Sequence, residues 1–138
     1  MNEKEKLQQL LKMNDICLFV KDFDRAVKFY TEVFGVECTF LRRGPTYGDY
    51  AMFRFCGTEL TLWSRDGINE ILGENFLHGT GGCFMIAIRV AEHKNVDELA
   101  ELLIARGAKC LKAPETYPFG FRACYFTDCE NYIWEIFS

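Results

Sequence analysis

The sequence predicts an α+β fold built from two tandem β-α-β-β-β modules. Three observations lead there. Residues 15–35, DICLFVKDFDRAVKFYTEVFG, read as a strand, a sharp turn, a helix and a helix stop. Residues 84–107, FMIAIRVAEHKNVDELAELLIARG, repeat that order. Further strand-like runs follow each copy, with no second long helix.

Each element has its own reason. Residues 2–12, NEKEKLQQLLK, carry Leu7, Leu10 and Leu11 at helical spacing, an accessory helix for docking on the body or on a partner subunit. In residues 15–20 the period of two puts Ile16, Leu18 and Val20 on one face and Asp15, Cys17 and Phe19 on the other. Asp22 can cap the helix that follows. Ala26, Phe29, Tyr30, Val33 and Phe34 form its apolar stripe, and Gly35 stops it. The stripe packs on the Ile16 face, so Asp15, Cys17 and Phe19 look toward whatever the sheet encloses. Residues 36–43 read as a strand broken by Gly44-Pro45, and residues 49–56 as another. Gly57-Thr58 turns the chain into residues 59–64, where Glu59, Thr61 and Trp63 oppose Leu60 and Leu62.

Residues 65–81 connect the halves, with a helical turn at 68–72. Their glycines form neither a Walker loop nor a dinucleotide fingerprint. In the second copy Ile86, Ile88 and Val90 alternate with Met85, Ala87 and Arg89. Asn95 and Glu98 have capping-box spacing, Val96, Leu99, Ala100 and Leu103 give the stripe, and Gly107 the stop. Residues 108–112 read as a short strand and 114–120 as a loop with two prolines. Residues 121–127 and 132–137 form a hairpin around Asp128 to Asn131, where Asn131 tolerates positive φ. The organisation is an accessory helix, 1–13, and one domain, 14–138, divided into module 1 (14–64), a connection (65–81) and module 2 (82–138).

Composition narrows the function. At 138 residues and 49% hydrophobic, the chain fits one compact domain with an ample core. A net charge of -4 argues against nucleic acid or acidic membranes as partners, and no apolar run approaches a membrane span. Seven cysteines, with no C-x-x-C, fit reduced thiols in the cytoplasm. A catalytic cysteine wants a histidine partner, and the two histidines, His78 and His93, fall in predicted loops. Thirteen phenylalanines suit either core packing or an aromatic cavity.

VKDFDRAVKFYTEVFG, ELTLWSRD and PFGFRACYFTDCENYIWEIF resemble the opening, middle and closing segments of the vicinal oxygen chelate superfamily, which holds glyoxalase I, bleomycin-resistance proteins, fosfomycin-resistance enzymes and extradiol dioxygenases. The resemblance runs from Asp15 nearly to the end of the chain. It implies a glyoxalase-like fold in which the modules curl into an open cup with helices outside, a small organic molecule bound inside, and a homodimer whose cups are often completed across chains.

The resemblance also marks Asp15, Glu59, Met85 and Glu135 as the positions that carry metal ligands in metal-dependent members. Both glutamate positions are kept here and no imidazole is present. Methionine is a soft, weak ligand, and a 2-His-1-carboxylate iron site cannot be assembled, which disfavours dioxygenase chemistry. No cofactor is therefore favoured. The alternative is a divalent metal ion on Asp15, Glu59 and Glu135, serving a lyase or isomerase of the glyoxalase I type with Glu59 and Glu135 as catalytic carboxylates. The favoured reading is a binding protein whose ligand contacts come from Asp15, Phe19, Trp63, Met85, Arg89 and Arg122. Arg54, Arg89 and Arg122 all lie in strands. Arg89 shares Met85's face, while the direction of the other two stays open. Trp134 and Ile136 are assigned to the helix side, as core.

Overall fold

The computed structural model describes residues 1–11, 13–55, 57–73, 79, 81, 84–118 and 120–138. His78, Cys56 and Cys83 lie outside them. The order is α1 (Glu3–Leu10), β1 (Asp15–Val20), α2 (Phe23–Glu32), β2 (Glu37–Arg42), β3 (Tyr50–Phe55), β4 (Thr58–Ser64), α3 (Arg65–Leu72), β5 (Met85–Arg89), α4 (His93–Ala105), β6 (Lys109–Thr116), β7 (Arg122–Thr127) and β8 (Ile133–Phe137). The strands make two sheets of identical plan, β1-β4-β3-β2 and β5-β8-β7-β6, neither closed on itself. In each, the strand before the long helix runs parallel to the last strand, and the rest is antiparallel.

Local chemistry explains the boundaries. Asp22 accepts a hydrogen bond from the Arg25 N–H at 3.2 Å and starts α2, and Gly35 leaves the helix at φ 67°. The second helix begins earlier than its predicted cap. Glu92 is the N-cap and Asn95 reaches back to the Glu92 N–H at 3.0 Å, so His93 opens α4 rather than lying in a loop. The connection holds a full helix, α3, capped by the Ser64 hydroxyl, which accepts from the Gly67 N–H at 3.3 Å. β6 runs through Pro114 to Thr116, where a loop was predicted. It is the outer strand of its sheet, and its register shifts between Lys112 and Glu115, so a proline there breaks no interior ladder. α1 is closed by an Asn2–Glu5 capping box but buries no residue, and Leu7, Leu10 and Leu11 stay exposed.

The helix-facing sides of both sheets share one core. Leu18, Val20, Phe53 and Leu62 from the first half join Val96, Phe126, Trp134 and Ile136 from the second. Tyr30 of α2 is fully buried between them, with its ring 6.0 Å from Trp134. Its hydroxyl donates to Asp128 and accepts from the Trp134 Nε1–H at 3.2 Å. Asp128 also accepts from the N–H groups of Glu130 at 2.8 Å and Tyr132 at 2.9 Å, so the turn predicted from Asn131 (φ 68°) is fastened to the other half. The Glu130 carboxylate accepts from the Lys21 N–H at 2.6 Å and the Asp22 N–H at 3.3 Å, at the start of α2. Arg106 donates to the carbonyls of Glu32 at 2.5 Å and Val33 at 2.9 Å, at its end. A cation at a helix C-terminus and an anion at its N-terminus both complement the helix dipole.

Candidate functional site

With the helices on one side, alternation sends Asp15, Cys17 and Phe19 of β1 to the other side of the first sheet. The register sets Asp15 beside Glu59, Cys17 beside Thr61 and Phe19 beside Trp63. Arg54, Met52 and Tyr50 follow across the next ladder, opposite Glu59, Thr61 and Trp63. The Thr61 hydroxyl donates to Asp15 Oδ2 at 2.7 Å, and Asn14 donates to Oδ1 at 2.8 Å. Tyr50 and Trp63 meet edge to face with centroids 5.7 Å apart, and the Arg42 guanidinium lies 5.3 Å from the Tyr50 ring. The Trp63 indole N–H donates to the Tyr47 carbonyl at 2.8 Å, which fixes the ring. Burial raises the Tyr50 phenol above its usual range, and the Asp15 and Glu59 charges add to the effect.

On the second sheet Glu135 stands between Ala87 and Tyr125. The Tyr125 hydroxyl donates to Glu135 Oε2 at 2.6 Å. That bond, with burial second, pushes the phenol up to about 12. Arg89 lies 5.9 Å from the Phe137 ring, and Met85 is 45% exposed on the outer strand.

Where β1 and the start of β4 approach β5, a cavity of about 350 Å³ opens. Its lining is mostly apolar, with Ile16, Phe55, Leu60, Ile86, Ile88 and Trp134, and Thr58, Glu59 and Arg89 also border it. Residues 12–136 match the family model of the Glyoxalase/Bleomycin resistance protein/Dioxygenase superfamily. The chain belongs to that superfamily.

Similar proteins match over nearly their whole length. The uncharacterized protein YraH of Bacillus subtilis (strain 168) is 29% identical over 132 residues, covering 93% of this chain and 98% of YraH. A glyoxalase/bleomycin resistance protein/dioxygenase from Nocardioides superposes with a TM-score of 0.77 at 29% identity, over 98% of this chain and 91% of its own. A glyoxalase-related enzyme from Fulvimarina pelagi gives 0.76 at 28% identity, over 92% and 87%.

The structure sorts the sequence-predicted residues into three places. Glu59 and Arg89 both border the cavity, with Asp15 beside Glu59 in the register. Phe19 and Trp63 lie further along the same face of the first sheet. Glu135 sits apart on the second sheet, tied to Tyr125. Arg122 is a correction. It falls in step with Cys124 and Phe126, on the helix side, and its guanidinium binds Asp97 of α4 at 2.7 and 2.8 Å. Its guanidinium is directed to α4 rather than to the cup face, because one residue of register decides the face of a strand.

The alternative metal set does not fit within one chain. Asp15 and Glu59 belong to one sheet and Glu135 to the other, with its Oε2 taken by a phenol. Among the described residues no group of three or more His, Cys, Asp or Glu side chains gathers to hold a metal ion. The glutamates are also less equivalent than their spacing implied. Counted back from the caps Asp22 and Glu92, Thr61 beside Cys17 matches Glu135 beside Ala87. Sequence reasoning missed Tyr125 and the apolar cavity wall. A turn of residues 128–131 alone would pair 125 with 134; the observed register, Thr127 opposite Ile133, pairs Tyr125 with Glu135 instead. Ile16, Ile86 and Ile88 were assigned wholly to the helix side, yet near the gap between two sheet edges that side also lines space.

Proposed function

We propose that the protein binds a small organic molecule at the Glu59–Arg89 cavity and that this binding needs no catalytic transition metal. The observation that carries the reading is the cavity: about 350 Å³, mostly apolar in its lining, with Thr58, Glu59 and Arg89 at its border. Ligand sites combine this range of size with apolar lining and a few polar anchors. The donor chemistry supports the second part. Methionine stands where an imidazole would serve, and the acidic side chains are dispersed and engaged in hydrogen bonds.

The working unit in this proposal is a homodimer in the cytoplasm. β1 and β5 are both outer strands, and Phe84 and Met85 at the start of β5 are 44% and 45% exposed, an edge suited to a second copy. Cys17, Cys38, Cys110, Cys124 and Cys129 are free thiols, as a reducing compartment requires.

The test is a thermal-shift screen of small organic molecules, with elemental analysis of the purified protein and sedimentation analysis of its mass. The expected result is a ligand that raises Tm with or without chelator, on a dimer. Stoichiometric bound divalent metal, with activity restored only by that metal, would overturn the reading in favour of a glyoxalase-type lyase.

A further inference from the structure

One cross-strand row on the first sheet is aromatic and ends in a cation. The register sets Phe19 of β1, Trp63 of β4, Tyr50 of β3 and Arg42 of β2 side by side. Their chain neighbours Leu18, Leu62 and Ala51 turn the other way and are fully buried in the core. Phe19, Trp63 and Tyr50 are half-buried, and Arg42 is exposed. Phe40, 48% exposed on β2, extends the aromatic surface with its ring 6.3 Å from Tyr50.

A single carbonyl orders this row. Tyr47 O accepts from the Trp63 indole N–H at 2.8 Å and lies 3.5 Å from Arg42 Nη2. Tyr47 is held at φ 59°, a region that a bulky residue seldom occupies. Its own N–H donates to Glu70 at 2.9 Å, and Gly67 packs so close that a Cβ there would sit 2.2 Å from the same carbonyl oxygen. Backbone strain that several contacts hold in place is a feature of sites whose side chains are set in advance. The Arg42 guanidinium stands 5.3 Å from the Tyr50 ring and 6.0 Å from the Trp63 ring. Stacking uses its flat face and leaves its N–H edge for an acceptor. Among the described residues no carboxylate lies within 4.0 Å of Arg42 to take that edge.

We infer that this row binds a planar aromatic carboxylate, its ring against Trp63 and Tyr50 and its anionic group on Arg42. A flat ring matches the aromatic side chains, and a carboxylate matches the fork of the guanidinium. An uncharged ring would strip water from Arg42 and return nothing to it. Charge also sets the direction. Asp15 and Glu59 share this face but stand four residues from Phe19 and Trp63, about 13 Å along the strands, so the anion belongs at the Arg42 end. The same separation sets the row apart from the cavity that Glu59 borders, and the inference does not rest on that cavity's being occupied.

The test is titration calorimetry on the full chain with 2-naphthoate, 2-naphthalenemethanol and decahydronaphthalene-2-carboxylate. The second probe lacks the charge and the third lacks the flat ring. 2-Naphthoate should bind about tenfold tighter than either, the scale of one lost charged hydrogen bond or one lost aromatic contact. Arg42→Gln should bring 2-naphthoate down to the level of 2-naphthalenemethanol. Arg42→Lys keeps the charge without the fork and should retain part of the preference. Trp63→Leu should bring 2-naphthoate toward the saturated carboxylate. Melting curves check that each variant is folded, and the exposed Arg42 supplies a readout that does not depend on Trp63→Leu. Equal binding of the three probes, or an affinity for 2-naphthoate that Arg42→Gln leaves unchanged, would overturn the inference while leaving binding at the cavity intact. Absence of binding by all three would also overturn it, and the thermal-shift screen then decides the earlier reading separately.

Discussion

Tyr30→Phe removes one oxygen from the place where the two halves meet. Tyr30 is fully buried, and Asp128 is only 4% exposed, so water cannot replace what is lost. The hydroxyl donates to the Asp128 carboxylate and accepts from the Trp134 N–H. Losing a hydrogen bond to a charged group costs roughly 1.5–3 kcal/mol, and leaving the indole N–H without an acceptor adds about 1 kcal/mol. The expected loss is therefore about 2.5–4 kcal/mol, or a Tm lower by roughly 10 °C for a chain of this length. The loss should also depend on pH. Burial raises the Asp128 carboxyl above its ordinary value of 3.8, while the Tyr30 hydroxyl and two backbone N–H groups pull it back. An acid raised in the folded state binds more protons there than in the unfolded chain, so stability falls as pH rises above 3.8. Without the hydroxyl that fall steepens. The gap between wild type and variant should thus widen from acidic to neutral pH, read by urea unfolding at both. A variant within 0.5 kcal/mol of wild type, or a gap independent of pH, would refute the shared-core argument.

Other outcomes follow from single contacts. Tyr125→Phe should remove the phenol that titrates near 12 in an ultraviolet pH titration. The stability lost in that variant should be fully present below pH 10, where the unfolded phenol is still protonated, and should vanish as pH rises toward 12. Arg122→Gln and Asp97→Asn should leave ligand affinity unchanged, because that part-buried pair lies on the helix side. Its effect on stability should disappear in high salt, and also as pH falls below 3.8, since Arg122 holds the Asp97 carboxyl below that value. Gly67→Ala would put a methyl 2.2 Å from the Tyr47 carbonyl oxygen and 2.7 Å from Trp63 Nε1. It should cost about 1–3 kcal/mol and shift Trp63 fluorescence. Burial pushes the Cys124 thiol up to about 12 and Cys129 up to about 11, so a disulfide reagent at pH 8 should spare both until denaturant is added.

The fold was legible where one periodicity dominated. β1 and α2 announce themselves through Ile16–Leu18–Val20, the Asp22 cap and Gly35, and Asn131 marks its turn through the φ it must adopt. The second unit was legible because it repeats the first. Pro114 misled because proline's cost depends on whether a strand is interior or outer, which only the sheet order reveals. The Asn95–Glu98 pair was given a cap's role, while Asn95 itself serves Glu92 three residues earlier. The site was half legible. Alternation alone put Asp15 and Glu59 on one face of the first sheet, where the register sets them side by side. It could not bring Glu59 and Arg89 to one cavity, because that depends on how two sheets abut. Arg122 failed for the same reason as Tyr125: both needed the hairpin register, fixed at Thr127 opposite Ile133.

Duplication has left the repeated halves unequal in what they give and receive. Helix α2 is gripped at its head by Glu130 and at its tail by Arg106, both from the later copy. Among the described residues α4 gets no such service in return. A polypeptide severed in the linker would therefore yield one piece that depends on its sibling and one that depends far less. Mixing the pieces should restore helix signal chiefly in the earlier one, an asymmetry that two interchangeable repeats would not display.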